Sequence, residues 1–322
     1  MRAYILRRIA QTIFILWALI TIMFVLFRLV PGDPVAMLIS NELNETARAA
    51  LLRDWGLDRP LLEQYLSYIR NLATGTLGMS FYHQVPVSEI LGEKLVNTLI
   101  LMLPAKVLGI AIGVAAGMYL GWHRNSRFER VGVLLPPIIR AMPVFWLGVL
   151  LLMVFSYELR LFPISGMRSI GTTPGGFVQT FVSLDFLWHL TLPLICMVIT
   201  SLPEPLLIMR SSILETRGED FLELVEAKGV SDWVVLKHAA RNSMLPVVTW
   251  SFHMLGYAVA GAVVIEVVFA WPGIGRELVT AVDSHDYPLA QGAFFLISVT
   301  IVLLNFLLDL AYGLLDPRVV LE

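Results

Sequence analysis

The apolar stretches of this chain constrain its fold more than any other feature, because each is long enough to cross a lipid bilayer. Six such stretches lie at residues 9–30, 97–121, 131–156, 188–209, 244–270 and 289–315. As a helix, the 22 residues of the first would extend about 33 Å, enough to span the hydrocarbon core. The pattern therefore predicts an all-α, polytopic membrane protein with six transmembrane helices.

The composition indicates that lipid, and not water, surrounds most of the chain. Hydrophobic residues make up 57% of the 322 residues and charged residues 15%, whereas soluble domains carry about 45–50% apolar and about 25% charged residues. The formal net charge is -2 and no basic stripe occurs, so nothing favours nucleic acid as a partner. The single cysteine, Cys196, excludes an intrachain disulfide and a cysteine-based metal site, and we predict no metal site.

The distribution of Lys and Arg predicts the orientation of the spans. With cytoplasmic termini, the inside segments hold 12 of the 23 Lys and Arg in 57 residues, and the outside segments hold 8 in 115. Because cytoplasmic loops are enriched in positive charge, both termini are predicted to be cytoplasmic. The chain then divides into an N-terminal span with an extracytoplasmic segment (1–96), a five-span core (97–315) and a cytoplasmic tail (316–322). Helical spacing predicts two short surface helices at 44–57 and 61–72.

The polar segment 210–243, between the fourth and fifth spans, predicts a short cytoplasmic helix that ends at a glycine. Asp220 can cap this helix, and Glu223 stands three residues later in the reciprocal position of a capping box. Acidic residues near the helix start and Lys228 near its end suit the helix dipole, and Gly229 is a natural stop.

This helix is too short to be stable alone in water. Phe221, Leu224 and Val225 are predicted to share one of its faces. A short helix with an apolar edge needs the groove of a partner, or else it lies on the lipid surface as an amphipathic linker, and the residues alone favour neither alternative. A second helix, capped by Ser231, is predicted to lead to the fifth span, with Pro246 in the first turn of that span.

Motifs in this segment and along the chain resemble one family of membrane transporters. Glu223, Gly229 and the pair Leu245-Pro246 resemble the EAA loop of bacterial ABC-importer permeases, and the long spacing before the proline resembles its peptide-permease branch. Further motifs follow in order: RLVPGDP at 28–34, GLDRPLLEQYL at 56–66, GTLGMS at 75–80, EVVFAWPGIGRE at 266–277, DYPLAQG at 286–292 and DLAYGLLDPR at 309–318. Together they resemble the first permease subunit of the dipeptide, oligopeptide and glutathione importers.

The resemblance implies a type I ABC-importer permease fold in a bacterial inner membrane. It implies that a coupling helix docks on an ATP-hydrolysing subunit, with coupling residues Asp220, Glu223, Glu226, Ala227, Lys228 and Gly229. The chain has no phosphate-binding GxxxxGK loop, so partners are expected to bind ATP and Mg, and this chain no cofactor. The implied partners are two ATP-binding subunits, a second homologous permease and an extracytoplasmic binding protein. Peptides are the expected substrate, with glutathione, opines, nickel chelates and oligosaccharides as alternatives.

Four ionisable residues in the predicted spans are candidate pore residues, because charge within a membrane is costly and usually functional. Lys106 and Arg140 each lie about 15 Å from a span end, Glu204 lies between two prolines, and His253 lies in span five. In one interpretation Glu204 neutralises Arg140 or Lys106 and holds helices together. In the other, both cations face the pore and attract a substrate carboxylate. A hydrogen-bonded buried histidine is the simpler interpretation of His253.

A proton-coupled secondary transporter is the main alternative function, with Glu204, His253 and Asp309 as a proton relay. That alternative gives the polar segment no role, and the inverted repeats found in many such carriers are not evident. An intramembrane enzyme would need a motif such as HExxH or GxSxG, and neither occurs. We therefore predict a transport subunit without catalytic residues.

Overall fold

The structure, a computed structural model, describes residues 2–29, 58–172, 175–176, 180–256 and 261–315. Helices dominate these residues, and no strand occurs among them beyond an isolated bridge between Met79 and Pro86, which confirms the predicted all-α class. The chain forms two compact units, Met1–Thr98 with Pro272–Phe306 and Leu99–Trp271 with Leu307–Glu322. The predicted domain limits at residues 96 and 315 stay a prediction.

Several of the helices are separated by only one or two residues. In chain order they are α1 (Arg2–Leu29), α2 (Leu61–Ala73), α3 (Val87–Trp122), α4 (Arg127–Gly132), α5 (Leu135–Ala141), α6 (Val144–Leu151), α7 (Leu184–Ser201), α8 (Pro203–Thr216), α9 (Asp220–Ala227), α10 (Asp232–Gly256), α11 (Ala262–Val268), α12 (Ile274–Asp283) and α13 (Tyr287–Leu315). A π-helical turn, Leu152–Glu158, continues α6.

The membrane-spanning segments match most of the predicted stretches. Four helical segments are long and apolar enough to cross a membrane: Ile5–Phe27, Val87–Trp122, Leu184–Thr216 and Tyr287–Leu310. They correspond to the first, second, fourth and sixth stretches, and the third is a bent pair, Arg127–Ala141 with Val144–Glu158. The fifth stretch, 244–270, is helical in α10 and α11 but includes residues outside the described part of the chain. The count of six spans therefore stays a prediction.

The third span is broken, although the sequence predicts a continuous stretch over 131–156. Met142 adopts an extended conformation (φ -81°, ψ 125°), Pro143 caps the start of α6, and the axis bends by 103°. A proline ring disfavours helical backbone at the residue before it, and proline has no N–H to donate to the helix. The prediction of one uninterrupted span is wrong for this reason.

A seam of glycines joins α3 to α7 and α8. The glycines recur every four residues and so lie on one face of α3: Gly109, Gly113, Gly117 and Gly121. A Cβ added at the first would lie 2.7 Å from the Ser201 Cβ, and one added at the last would lie 2.9 Å from the Ile213 Cβ. At the third it would collide with the carbonyl oxygen of Leu206. Small residues allow backbones of membrane helices to approach this closely.

The seam also fixes the relative direction of the helices that it joins. Gly109, near the start of the seam, faces Ser201, and Gly121, at its end, faces Ile213. Because the residue numbers increase in the same direction on both sides, α3 and the α7–α8 span run parallel. Two parallel spans require the chain between them to cross the layer once more. Among the described residues between these two spans, the bent pair supplies the apolar helices for that crossing, so we interpret it as a broken span.

In the first unit, α2 packs against α1. The hydroxyl groups of Thr21 and Tyr65 form a hydrogen bond of 2.6 Å, and the rings of Phe24 and Tyr65 meet edge to face with centroids 5.3 Å apart. The predicted helix at 61–72 is thus confirmed, whereas the predicted helix at 44–57 lies outside the described residues.

Candidate functional site

The polar segment between α8 and α10 forms α9, the short helix that the sequence predicts. Asp220 is its first helical residue, and Glu219 precedes it as the N-cap in extended conformation. No side-chain hydrogen bond caps this start, so the predicted cap at Asp220 and its capping box with Glu223 are wrong. The reason is register, because a capping side chain has to stand on the non-helical residue before the helix. Both acids still lie in the first turn, where the helix dipole favours negative charge.

Gly229 sets the end of α9. Its φ of +70° lies in the left-handed region, and its N–H donates to the Glu226 carbonyl at 2.9 Å. Other L-residues adopt this conformation at a cost of about 1 kcal/mol or more, which glycine avoids. The predicted stop is confirmed. A Cβ added at Gly229 would meet nothing within 4 Å, so the backbone conformation, and not crowding within the chain, requires glycine here.

One leucine anchors α9 to the membrane-spanning helices. Leu222 is 2% exposed and packs with Ile213 of α8 and with residues of α10. Phe221 and Val225 pack partly against the same cluster, whereas Leu224 is 66% exposed. The predicted apolar face is therefore wrong at Leu224. The side of α9 that carries Leu222 packs against α8 and α10, and Leu224 does not face these helices.

The opposite surface of α9 is open. All six residues that the family resemblance assigns to coupling are exposed: Asp220, Glu223, Glu226, Ala227, Lys228 and Gly229. Leu224 adds an exposed apolar side chain among three acidic ones. This surface combines an apolar contact with negative charge, which suits a groove on another protein.

The helix after this segment is continuous. α10 runs from Asp232 to Gly256 with Pro246 inside it, and Ser231 immediately precedes it, as predicted. Pro246 is therefore not in the first turn of a helix, which corrects that part of the prediction, while the start of the fifth span at residue 244 stays a prediction. Neighbouring helices and hydroxyl side chains compensate for a proline in membrane helices. Near this proline the Ser243 hydroxyl donates to the Ser212 carbonyl of α8 at 3.1 Å and joins the two helices, although the carbonyl that Pro246 leaves without a helical donor is that of Asn242.

A buried carboxylate on α4 ties that helix and the loop after α3 to the middle of α8. Glu129 is 6% exposed, and Arg210 donates to its Oε1 from Nε at 3.1 Å and from Nη2 at 2.5 Å. The Asn125 N–H donates to the other oxygen at 2.5 Å. Near the end of α8, Arg217 donates to the Trp122 carbonyl at 2.8 Å and lies over that indole ring. Sequence reasoning missed this cluster. Its signal in the sequence is that Glu129 is the one acidic residue of segment 122–130, which also holds three arginines.

Arg140 and Glu204 form an ion pair where two spans break. Arg140 Nε lies 3.4 Å from Glu204 Oε1. Arg140 is in the last turn of α5, before the bend, and Glu204 is in the first turn of α8, after the break at Leu202. A cation near a helix C-terminus and an anion near a helix N-terminus both suit the dipoles. The side chains are 60% and 31% exposed, so the pair is open on one side.

The structure brings three of the four pore candidates together. Lys106 of α3 is partly buried and lies within electrostatic reach of Glu204, the partner of Arg140. His253, the fourth, lies on α10, and its side chain is outside the described residues. Among the side chains that the structure describes, no cluster of His, Cys, Asp and Glu could hold a metal ion.

Comparisons with known proteins agree with these features. The family described as binding-protein-dependent transport system inner membrane component matches residues 109–321, and its N-terminal region matches residues 1–102. The chain is 36% identical over 339 residues to the dipeptide transport system permease protein of Escherichia coli (strain K12), with 99% of each covered. It is 35% identical over 332 residues to the di/tripeptide transport system permease protein of Pseudomonas aeruginosa (strain UCBPP-PA14), again with 99% of each covered.

Proposed function

Because this chain belongs to the family of binding-protein-dependent transport system inner membrane components, we propose that it imports dipeptides or similarly short peptides. It is a multi-pass inner membrane protein and the permease subunit of an ABC importer, a transport component and not an enzyme. Relatives named for dipeptides and for di- and tripeptides share 36% and 35% identity over 99% of the chain, and this is the observation that carries the substrate. Glutathione, opines, nickel chelates and oligosaccharides are the alternatives that an uptake assay has to separate.

The attachment of α9 supports its role as the coupling helix. Leu222 holds one side of the helix, while Leu224 on the other side and the three acidic side chains stay exposed. A helix of eight residues is not stable alone, so its open side suits a groove of a partner. In this proposal the partner is an ATP-binding subunit that uses ATP and Mg. Two such subunits, a second homologous permease and an extracytoplasmic binding protein complete the transporter.

The helices that contact α9 can transmit its movement to the membrane-spanning part of the chain. α8 begins at Pro203, next to the Arg140–Glu204 pair, and ends at Thr216, about 18 Å from Glu204. Leu222 packs against both α8 and α10, so a displacement of α9 moves both helices. In this proposal, ATP-driven closure of the partner subunits displaces α9, and α8 carries the movement to the ion pair.

The charges at that pair support a pore contact for an anionic group. Arg140 is 60% exposed although it pairs with Glu204, and a charged side chain within the bilayer costs about 2.5–3.5 kcal/mol or more. Its open side therefore faces a water-filled path or another subunit. Lys106 and Arg140 stand against one Glu204, so two cations surround one carboxylate. We assign the two cations to attraction of a substrate carboxylate along the pathway.

Both termini are proposed to be cytoplasmic, because Lys and Arg are enriched in the segments that this orientation places inside. The test uses cysteine reporters at Gly75 and Gly218 in a Cys196→Ala background, labelled from each side of the membrane. Labelling from opposite sides, with Gly218 cytoplasmic, is expected. Labelling of both from one side would contradict the arrangement.

Uptake by the complete transporter tests the function itself. Proteoliposomes would hold this chain with its sister permease and ATP-binding subunits, and the binding protein would be added outside. ATP-dependent uptake of a labelled dipeptide, competed by other dipeptides, is expected. Uptake of glutathione, an opine, a nickel chelate or an oligosaccharide instead would overturn the peptide assignment. Uptake driven by a proton gradient without ATP would support a secondary transporter.

A further inference from the structure

The segment from Arg124 to Ile138 presents a surface that the transport function does not use. Its first half carries three exposed arginines, Arg124, Arg127 and Arg130, and Phe128 between them is 71% exposed. Its second half is apolar, with more than half of each of these side chains exposed: Val131, Leu134, Leu135 and Ile138. The segment therefore changes from cationic to apolar along its length.

The one acidic residue of this segment does not reduce the positive charge of its surface. Glu129 is 6% exposed, turned inward and bonded to Arg210 of α8. A carboxylate held in this way is neutralised by a partner from another helix. Glu129 also lies within electrostatic reach of Arg124, but Arg210 adds one positive charge for the negative charge of Glu129, so the three exposed arginines leave this surface cationic.

The bend of the third span sets the direction of this segment. Its helices, within Arg127–Ala141, make an angle of 103° with the helix Val144–Glu158. If Val144–Glu158 makes the crossing of the broken span along the membrane normal, Arg127–Ala141 lies close to the membrane plane at one end of that crossing. An in-plane helix with basic residues and exposed aromatic and aliphatic side chains is typical of interfacial segments.

From these observations we infer that Arg124–Ile138 is an interfacial segment that binds anionic phospholipid. The arginines contact headgroup phosphates, and Phe128 and Val131 enter the boundary with the acyl chains. A leaflet places its headgroup phosphates directly above its acyl chains, so one in-plane segment can contact both, with the arginines reaching toward the phosphates and the apolar side chains toward the chains.

The first test measures which lipids the complete transporter retains in nanodiscs of phosphatidylcholine mixed with phosphatidylglycerol. Native mass spectrometry of the wild type should show preferential retention of phosphatidylglycerol. The variant Arg124→Gln/Arg127→Gln/Arg130→Gln should bind it more weakly, by about fivefold for each arginine removed. Retention without preference in the wild type would overturn the inference.

A matched control separates this site from a general effect of charge. The variant Arg59→Gln/Arg70→Gln/Arg160→Gln removes three exposed arginines elsewhere in the chain and should keep the wild-type preference. An equal loss in both triple variants would show that net charge, and not this segment, selects the lipid.

The second test reads the depth of the segment directly. A spin label on Phe128→Cys, in a Cys196→Ala background, should be more accessible to oxygen, which concentrates in lipid, than to a water-soluble nickel complex. Greater accessibility to the nickel complex would place Phe128 in water. Low accessibility to both reagents would mean that a protein subunit covers it, and either result would overturn the lipid contact.

Discussion

Gly117 and Gly229 are both glycines, but the first is tightly packed within the chain and the second is not. At Gly117, in α3, an added Cβ would collide with the Leu206 carbonyl of α8, whereas at Gly229, after α9, it would meet nothing within 4 Å. Gly229 is needed for its φ of +70°. The glycine seam is thus closed by contacts within the chain, while the region around α9 has contacts on one side and an open surface on the other.

This difference separates the part of the chain that is packed by itself from the part that is open to a partner. Substitutions in the seam should therefore reduce the amount of folded protein. Substitutions on the open side of α9 should leave folding intact and change transport. The predictions below begin with the largest expected effect. The first and third compare these two regions, and the other two concern the ion pairs of Glu129 with Arg210 and of Arg140 with Glu204.

Gly117→Leu should abolish the folded subunit, because a side chain cannot occupy the space that the backbone of α8 fills. The measurement is the yield of monodisperse protein after extraction in mild detergent. Gly92→Ala is the matched control, since this α3 glycine has nothing within 4 Å of an added Cβ. That variant should gain about 0.5–1 kcal/mol in helix stability. Normal yield of Gly117→Leu would show that the seam is not tightly packed in the membrane.

Arg210→Ala should be the next largest effect, since it leaves the buried Glu129 without its cationic partner. Because Arg210 is 25% exposed and the Asn125 N–H still donates to Glu129, we expect a loss of about 1–3 kcal/mol, below that of a fully enclosed pair. Thermal unfolding of the purified complex would measure the loss, and the exposed Arg70→Ala should change it by less than about 0.5 kcal/mol. The double variant Glu129→Ala/Arg210→Ala should be more stable than Arg210→Ala alone, because the orphaned charge is gone. If the double variant is no better, the pair is not coupled.

Gly229→Trp should leave assembly of the chain intact and lower the number of substrate molecules imported per ATP hydrolysed. The backbone strain costs about 1 kcal/mol, and the indole ring occupies space on the side proposed for the partner. Gly229→Asn is the control, because asparagine tolerates the left-handed conformation and is small. It should transport better than the tryptophan variant. Wild-type stoichiometry in Gly229→Trp would remove the coupling role from this end of α9.

Arg140→Ala should have the smallest effect on stability, at most about 1 kcal/mol, because the exposed Arg140–Glu204 pair is weakly stabilising. Import of peptides with an additional carboxylate should slow more than import of neutral peptides. The control is Glu204→Ala, which removes the opposite charge and should not slow anionic peptides selectively. Equal slowing of both peptide classes by Arg140→Ala, with unchanged assembly, would contradict the attraction of anions.

The sequence predicts the elements whose cause is local. The helical stretch at α2, the eight-residue α9 and its stop at Gly229 follow from apolar spacing, length and the glycine. The pairing of Arg140 with Glu204, one of two interpretations left open by the sequence, is present in the structure. These features depend on residues near each other in sequence or on the high cost of charge in a membrane.

The features that sequence reasoning missed depend on contacts between helices. Leu222, and not Leu224, is buried because the side of α9 that carries Leu222 packs against α8 and α10. Pro246 lies inside α10 and not at the start of a helix. The repeat of glycines from Gly109 to Gly121 is visible in the sequence, but the helix that it faces is not.

The most direct test of the central claim is a cross-link from α9 to the ATP-binding subunit. Leu224→Cys, in a Cys196→Ala background, replaces a leucine that is 66% exposed, and Leu62→Cys on α2 is the matched control at 68% exposure. A short bifunctional maleimide, used with ATP-binding subunits that carry single cysteines in the proposed groove, should cross-link Leu224→Cys and not Leu62→Cys. A cross-link from neither position, or from Leu62→Cys alone, would contradict the assignment of α9 as the coupling helix.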